Sequence, residues 1–136
     1  MSLNKYQAIF ETYRFLRELL KDTTDGIIKW QLLEFLDRGW NNGWIISFVA
    51  SRGNRTFVLE RDRSSKYASK YGLWVTCTKS RLVIKDDNQI VLDECFTTEE
   101  DYVDVLGHSG QPGIDTLARK IIDMQRECLG LYWSIM

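Results

Sequence analysis

The feature that most constrains the fold is a series of short segments between Ile27 and Asp93 in which apolar and polar residues alternate. Alternation with a period of two places every second side chain on the same face of a β-strand. Short clusters of turn-forming residues separate most of these segments, and short connections favour antiparallel neighbours. The pattern predicts strands at 27–33, 44–50, 56–61, 73–78, 81–85 and 89–93, with a polar loop at 62–70 and a turn at Lys79-Ser80.

One alternating set in these segments is apolar, which predicts a sheet with one face on a core. Its members are Phe57, Leu59, Leu73, Val75, Cys77, Leu82, Ile84, Ile90 and Leu92. The opposite set is mixed and includes Val58, Trp74 and Val83. Three interpretations of these apolar residues stay open: a second layer, a bound partner, or good β-formers on a half-exposed face.

Two amphipathic helices are predicted to flank the sheet. Residues 4–21 place apolar residues at helical spacing and end in a cluster of turn formers, and a second such pattern closes the chain. Thr97, followed by Glu100, forms a capping box that predicts a short acidic helix to about Leu106. These elements predict a single domain over 1–136, of the α+β class. Its core is an antiparallel β-meander of about five or six strands, with the N- and C-terminal helices packed on one face.

The segment 27–38 fits two structures. Alternation of Ile28, Trp30 and Leu32 favours a strand, although the run also fits one helical face. We favour a strand at 27–33. Because Trp30 shares its alternating set with Ile28 and Leu32, we expect its indole to be buried beside the N-terminal helix.

A tight hairpin is predicted directly after this segment. Asn41-Asn42-Gly43 lies between Trp40 and Trp44, and asparagine and glycine accept the positive φ that tight hairpin turns require. The turn would bring two indole rings near each other, which makes them a candidate binding surface.

The sequence order is an N-terminal helix, the run Asp25-Gly26-Ile27-Ile28-Lys29-Trp30, a meander with Phe57-Val58-Leu59, Leu73-Trp74-Val75 and Leu82-Val83-Ile84, and a closing helix. In this order the chain resembles a loose group of small uncharacterised bacterial proteins. In that group a helix ending in a Thr-x-x-Gly-x-Ile-x-Trp-like stretch leads into an antiparallel sheet and a C-terminal helix. The resemblance covers most of the chain and supports a strand at 27–33. It implies no activity, because the group has no established catalytic or binding residues to carry over.

Charges are sorted along the chain. Residues 1–51 carry six basic and six acidic side chains, residues 52–85 nine and two, and residues 86–136 three and eleven. We expect the two oppositely charged segments to neutralise each other, within the fold or across a dimer, because a pI near 5.8 argues against a dedicated nucleic-acid binder. An acidic protein partner and nucleic acid bound through 52–85 stay open as alternatives.

Residues that carry catalytic chemistry are sparse. His108 is the one histidine, in a glycine-rich linker, and we favour a loop histidine over a general base. The widely spaced Cys77, Cys95 and Cys128 predict free buried thiols and no metal site. No phosphate-binding glycine motif is present, so no cofactor is expected. An enzyme that uses His108 and scattered carboxylates stays an alternative, although no catalytic motif in the sequence supports it.

The sequence therefore favours a soluble, cytoplasmic, non-catalytic domain that binds a protein partner or itself. No apolar run approaches the roughly 18 residues that a membrane span needs, and the N-terminus lacks a signal-peptide pattern. The candidate binding residues are Trp40, Trp44, Trp74, Arg61, Lys79, Arg81 and Lys85.

Overall fold

A computed structural model of the protein describes residues 5–39, 42–68, 72–100, 108–110 and 112–129. In chain order the elements are helix α1 (Lys5–Thr24), strands β1 (Gln31–Asp37), β2 (Trp44–Arg52), β3 (Arg55–Ala68), β4 (Leu73–Asp86), β5 (Gln89–Glu100) and β6 (His108–Gly110), and helix α2 (Pro112–Leu129). All six strands form one antiparallel sheet in sequence order. The α+β class, with an antiparallel sheet and a helix towards each end of the chain, is confirmed.

The core lies between the two helices and one face of the sheet. Helix α1 contributes Leu16 and Leu19, while α2 and the central strands contribute side chains at helical and alternate spacing respectively. These residues are Ile114, Leu117, Ala118, Ile121 and Ile122 of α2, with Ile46, Phe48, Phe57, Leu59, Leu82 and Ile84 of the sheet. We call the face that carries Phe57, Leu59, Leu82 and Ile84 the inner face, and the opposite one the outer face. Full burial of one large apolar side chain contributes about 1.5–3 kcal/mol.

Trp30 is buried beside α1, as the sequence predicts. Its indole Nε1 donates to Thr23 Oγ1 at 3.0 Å, and its ring packs on Phe57 with centroids 6.1 Å apart. The predicted strand at 27–33, however, begins four residues too early, since β1 starts at Gln31. The reason lies in the backbone. The N–H groups of Ile27 and Ile28 donate to the carbonyl of Asp22 and so close the end of the helix instead of joining the sheet.

A hairpin joins β1 and β2, but its connection runs over 38–43 and is longer than the tight turn predicted at 41–43. Asp37 pairs with Trp44, and the backbone N–H of Arg38 donates to Gly43 at 2.9 Å. Gly43 has a φ of +76°, and a Cβ there would overlap the carbonyl of Arg63 on β3. Glycine is therefore required both by the turn and by the close approach of the next strand.

Strands β3 and β4 are longer than the sequence predicts. The loop expected at 62–70 is wrong as far as Ala68, and so is the turn at Lys79-Ser80, because the two strands pair without a register shift from Arg55–Asp86 to Ala68–Leu73. Residues 69–70 lie outside the described part of the chain. One continuous β4 also divides the predicted apolar set. Val75 and Cys77 lie on the outer face, although Val75 is buried there, and Trp74 lies on the inner face.

The first residues of the predicted acidic helix are strand. Thr97 to Glu100 belong to β5 and pair with Lys79 to Thr76 of β4, so pairing with the long neighbouring strand outweighs the local capping signal. The remainder of that prediction, to Leu106, lies outside the described residues.

Ile90 is exposed, although the alternating pattern places it in the core. A bulge between Ile84 and Lys85 shifts the register, so that Ile90 pairs with Lys85 and lies on the outer face.

Candidate interaction surfaces

Strand β1 is an edge of the sheet, and it is exposed although four of its seven residues are apolar. Leu33 is 59% exposed, Leu36 48% and Leu32 42%. Among the residues that the structure describes, no strand pairs with the second side of β1. An edge strand with free backbone groups and apolar side chains is a template for another strand.

Apolar side chains lie on both faces of β1. Leu32 pairs with Phe48 on the inner face, Leu36 pairs with Ile45 on the outer face, and Leu33 lies in a bulge of the ladder. A sequence that is apolar on both faces is typical of strands that are covered on both faces, not of an edge in water. We call Leu32, Leu33, Glu34, Leu36 and Asp37 the edge surface.

The edge surface is acidic. Strand β1 contains Glu34 and Asp37 and no basic residue. Arg38 follows directly, but its guanidinium donates to the Asp62 carboxylate and to the carbonyls of Trp44 and Arg63. Because that arginine is held by β2 and β3, the two carboxylates of β1 give this edge a net negative charge.

A small cleft opens between the segment before β1 and helix α2. Its volume is about 210 Å³, and Ile28, Trp30, Ile121 and Met124 contribute to its apolar walls. Gln125 Nε2 donates to the carbonyl of Trp30 at 2.7 Å and closes one side. The cleft adds apolar surface beside the N-terminal end of the edge surface.

The tryptophan hairpin does not form an exposed pair in the described structure. Trp44 is 9% exposed and belongs to the core, while Trp40 lies outside the described residues. Trp44 therefore stabilises the fold and does not offer an open binding face.

Arg61 is buried at the first turn of α2. Its Nη1 donates to the carboxylate of Asp115 and, at 2.9 Å, to Ser80 Oγ. Arg119 lies 3.2 Å from the same carboxylate. Burial lowers the pKa of the Arg61 guanidinium, and the neighbouring Asp115 carboxylate opposes that shift. This candidate binding residue thus joins α2 to β3 and β4.

Arg81 also binds a carboxylate of the same chain. Its Nε and Nη2 donate to the two oxygens of Asp93 at 2.8 and 2.6 Å. These hydrogen bonds lower the pKa of Asp93 and raise that of Arg81. Arg55 and Asp86 form the same bidentate pair.

Three arginines of the basic segment 52–85 therefore bind carboxylates of the acidic last third, as internal neutralisation requires. They are Arg55 with Asp86, Arg61 with Asp115, and Arg81 with Asp93. The other two candidate cations, Lys79 and Lys85, lie on the outer face, the first exposed and the second half-buried.

Trp74 is 64% exposed. It pairs across β3 and β4 with Tyr67, which is 55% exposed, and the ring centroids lie 5.6 Å apart at 58°. Both residues lie on the inner face, beyond the rung at which Asp115 of α2 contacts the sheet. They form a second exposed surface, remote in the sheet from β1.

The described residues hold no group of three or more His, Cys, Asp or Glu side chains that could bind a metal ion. Cys77 and Cys95 are half-buried. His108 lies not in the loop that the sequence predicts but in β6, where its backbone pairs with Thr98 of β5. Its side chain is outside the described part of the structure. Neither helix in the described ranges is long and apolar enough to cross a membrane.

Comparison with protein-family models, with curated proteins and with solved structures finds no match to this chain. The resemblance to small bacterial proteins stays a prediction.

The edge surface is the feature that sequence reasoning missed. Its signal was the four apolar residues between Leu32 and Leu36, a pattern that fits a strand with neighbours on both sides. Only the strand order shows that one of these neighbours is absent from the described part of the chain.

Proposed function

We propose that this chain is a non-catalytic protein-interaction domain that binds an extended segment of a partner protein along the edge surface. The observation that carries the proposal is the exposure of β1. Three leucines of one edge strand lie in water, and no strand in the described ranges pairs with the second side of that strand. Addition of a partner strand would bury those leucines and satisfy the backbone in the same step.

The charge of the edge surface indicates the chemistry of the partner. Glu34 lies on the outer face and Leu32 on the inner face, which favours a segment that alternates apolar residues with lysine or arginine. The bulge at Leu33 interrupts regular pairing and so restricts which segments fit. We therefore propose a basic, amphipathic strand as the ligand.

A second copy of this chain fits the edge surface less well. In a symmetric antiparallel pair centred on β1, Glu34 would lie opposite Glu34 of the second copy, and like charges directly opposite each other destabilise a ladder. Self-association is therefore the less favoured occupant.

Nucleic acid bound through the whole basic segment 52–85 is the rival interpretation. Arg55, Arg61 and Arg81 form ion pairs with carboxylates of the same chain. Phosphate would have to displace these carboxylates, one of them from the buried Arg61. The geometry thus favours a protein partner for the main binding surface.

A direct test uses a fluorescent peptide of alternating valine and lysine, with anisotropy as the readout. We expect Leu33→Ser and Glu34→Gln each to weaken binding by about 10-fold, because each removes a contact at the centre of the added strand. The matched controls are Ile90→Ser, which has the same 59% exposure as Leu33, and Glu94→Gln at an exposed position of β5. Neither control should change the affinity.

A second form of the peptide, N-methylated at alternate backbone amides, separates strand pairing from charge attraction. It should bind at least 10-fold more weakly than the parent peptide, because it cannot complete the ladder. Equal binding of both peptides would contradict strand addition. Sedimentation as a dimer that Leu33→Ser dissociates would show instead that a second copy occupies the edge.

A further inference from the structure

The cleft between the segment before β1 and helix α2 begins where the edge surface ends. Trp30 lines the cleft, and the next residue, Gln31, is the first of β1. The walls that Ile28, Trp30 and Ile121 provide are at most 7% exposed, whereas Met124 at the same cleft is 48% exposed. An apolar recess with one adaptable methionine in its wall is suited to a large apolar side chain.

The size of the cleft indicates which side chains fit. Its volume is about 210 Å³. A protein cavity of about 150 Å³ already binds benzene. The cleft can therefore take a phenylalanine or leucine side chain of a partner.

The cleft differs from the edge surface in charge. Among the described residues that line it, Lys29 is the one charged side chain. Asp25 and Asp123, the acidic residues nearest in sequence to the lining, are not part of it. Lys29 is exposed and forms no ion pair with any residue that the structure describes. The recess therefore combines apolar walls with one available ammonium group.

The backbone before β1 already has hydrogen-bond partners. The N–H groups of Ile27 and Ile28 donate to the carbonyl of Asp22, and the carbonyl of Trp30 accepts from Gln125 Nε2. Because these three groups are occupied, we expect the ladder of an added strand to end where β1 begins, beside the cleft.

The direction of an added strand decides which of its ends lies at the cleft. Every pair of neighbouring strands in this sheet is antiparallel. Antiparallel pairing is also slightly more stable per residue than parallel pairing. An antiparallel partner strand would run from the Asp37 end of β1 to the Gln31 end, so that its C-terminal end reaches the cleft.

We infer that the edge surface and the cleft together bind the C-terminal end of a partner chain, with its last apolar side chain in the cleft and its terminal carboxylate beside Lys29. This inference rests on the proposed function and names the ligand of the same site. The charges agree with this direction. Basic residues of the segment would lie along Glu34 of β1, and its terminal carboxylate would lie at the lysine of the cleft. Strand addition and capture of a chain terminus are both recurrent modes of peptide recognition.

The test is anisotropy of peptides that carry fluorescein at the N-terminus, alternate valine with lysine and end in phenylalanine. At physiological salt, the peptide with a free C-terminal carboxylate should bind about 10-fold more tightly than the same peptide with a C-terminal amide. Replacing the last phenylalanine by glycine should weaken binding by about 10-fold or more, because the cleft then receives no apolar side chain.

Variants of the protein locate the carboxylate and the ring. Lys29→Gln should weaken binding of the acid peptide about 10-fold and leave the amide peptide unchanged, whereas Lys29→Arg should retain the preference for the acid. Met124→Ser should weaken binding of the peptide that ends in phenylalanine more than that of the peptide that ends in glycine. The matched control is Lys21→Gln, at an exposed lysine that does not line the cleft, and it should change neither affinity. All three positions are exposed, so circular dichroism should show every variant folded.

The outcomes separate this inference from the proposed function. Equal binding of the acid and amide peptides, with both weakened by Leu33→Ser, would overturn the inference and leave strand addition at the edge intact. A preference for the acid that persists in Lys29→Gln would also overturn it, because the carboxylate would then lie elsewhere. Equal binding of a peptide extended by two glycines after the phenylalanine would show that an internal segment, and not a chain end, occupies the site. If none of the peptides binds, the proposed function and the inference both fail.

Discussion

The two ends of the β3–β4 ladder share one face and one uninterrupted register, yet their side chains differ in exposure to solvent. At one end Phe57, Leu59, Leu82 and Ile84 lie under the helices and are at most 3% exposed. At the other, Tyr67 and Trp74 are more than half exposed. On the inner face, therefore, cover by the helices and not strand pairing distinguishes the rungs with buried side chains from those with exposed side chains.

The boundary between the two ends is polar and buried. Arg61 and Ser80 replace the apolar pair that alternation would place there, and Asp115 of α2 completes the cluster. A buried ion pair contributes little net stability over an apolar pair, but it fixes where the first turn of α2 lies on the ladder.

Replacing Trp30 tests the covered region with the largest expected effect. Trp30→Ala removes a buried indole and its hydrogen bond to Thr23, and we expect a loss of about 3–5 kcal/mol in the free energy of unfolding. Urea denaturation followed by circular dichroism measures this loss. A midpoint that stays near that of the parent protein would show that the indole is not part of the core.

Breaking the boundary ion pair should have the next largest effect. Asp115→Asn leaves the Arg61 guanidinium buried without its counter-charge, for an expected loss of about 2–4 kcal/mol, since Asp115 itself is partly exposed. The double variant Arg61→Met/Asp115→Leu should recover most of that stability. If the double variant is as unstable as the single one, the uncompensated charge of Arg61 is not the cause of the loss.

Replacing Trp74 should change stability by no more than about 0.5 kcal/mol, because the side chain is largely in water. Trp30→Ala is the matched comparison, as the same substitution at a buried tryptophan. Similar denaturation midpoints for the two variants would contradict the distinction between the region covered by the helices and the exposed end of the ladder.

The smallest effect concerns acid stability. Hydrogen bonds from Arg81 lower the folded pKa of Asp93, so the pair stabilises the fold above the ordinary aspartate value of about 3.9, and this contribution is lost as the pH falls below it. Arg81→Gln should therefore melt slightly below the parent protein near pH 6, and the difference should shrink as the pH falls below about 4. A difference between the two melting curves that is independent of pH would contradict this linkage.

Alternation predicted much of the fold. Residues such as Phe57, Leu59, Leu82 and Ile84 were identified as core, because their partners across the ladder are also apolar and the pattern is local. Internal neutralisation was also anticipated from the sorting of charge along the chain, although the pairs themselves depend on distant contacts.

Other features depended on tertiary structure and escaped prediction. The polar residues from Asp62 to Lys66 resemble a loop, but they are strand because β4 pairs with them throughout. Thr97 and Glu100 resemble a helix start for the same local reason. The exposure of β1 follows from its place in the strand order, which no local pattern encodes.

Native-state hydrogen exchange of β3 and β4 tests the central claim most directly. The hydrogen-bonded amides of the Leu59–Leu82 rung should exchange only through global unfolding, with an opening free energy that falls as denaturant is added. The amides of the Tyr67–Trp74 rung should exchange through local opening, at a lower free energy and with little dependence on denaturant. Equal protection and equal denaturant dependence at the two rungs would show that the ladder is one cooperative unit and would contradict the account.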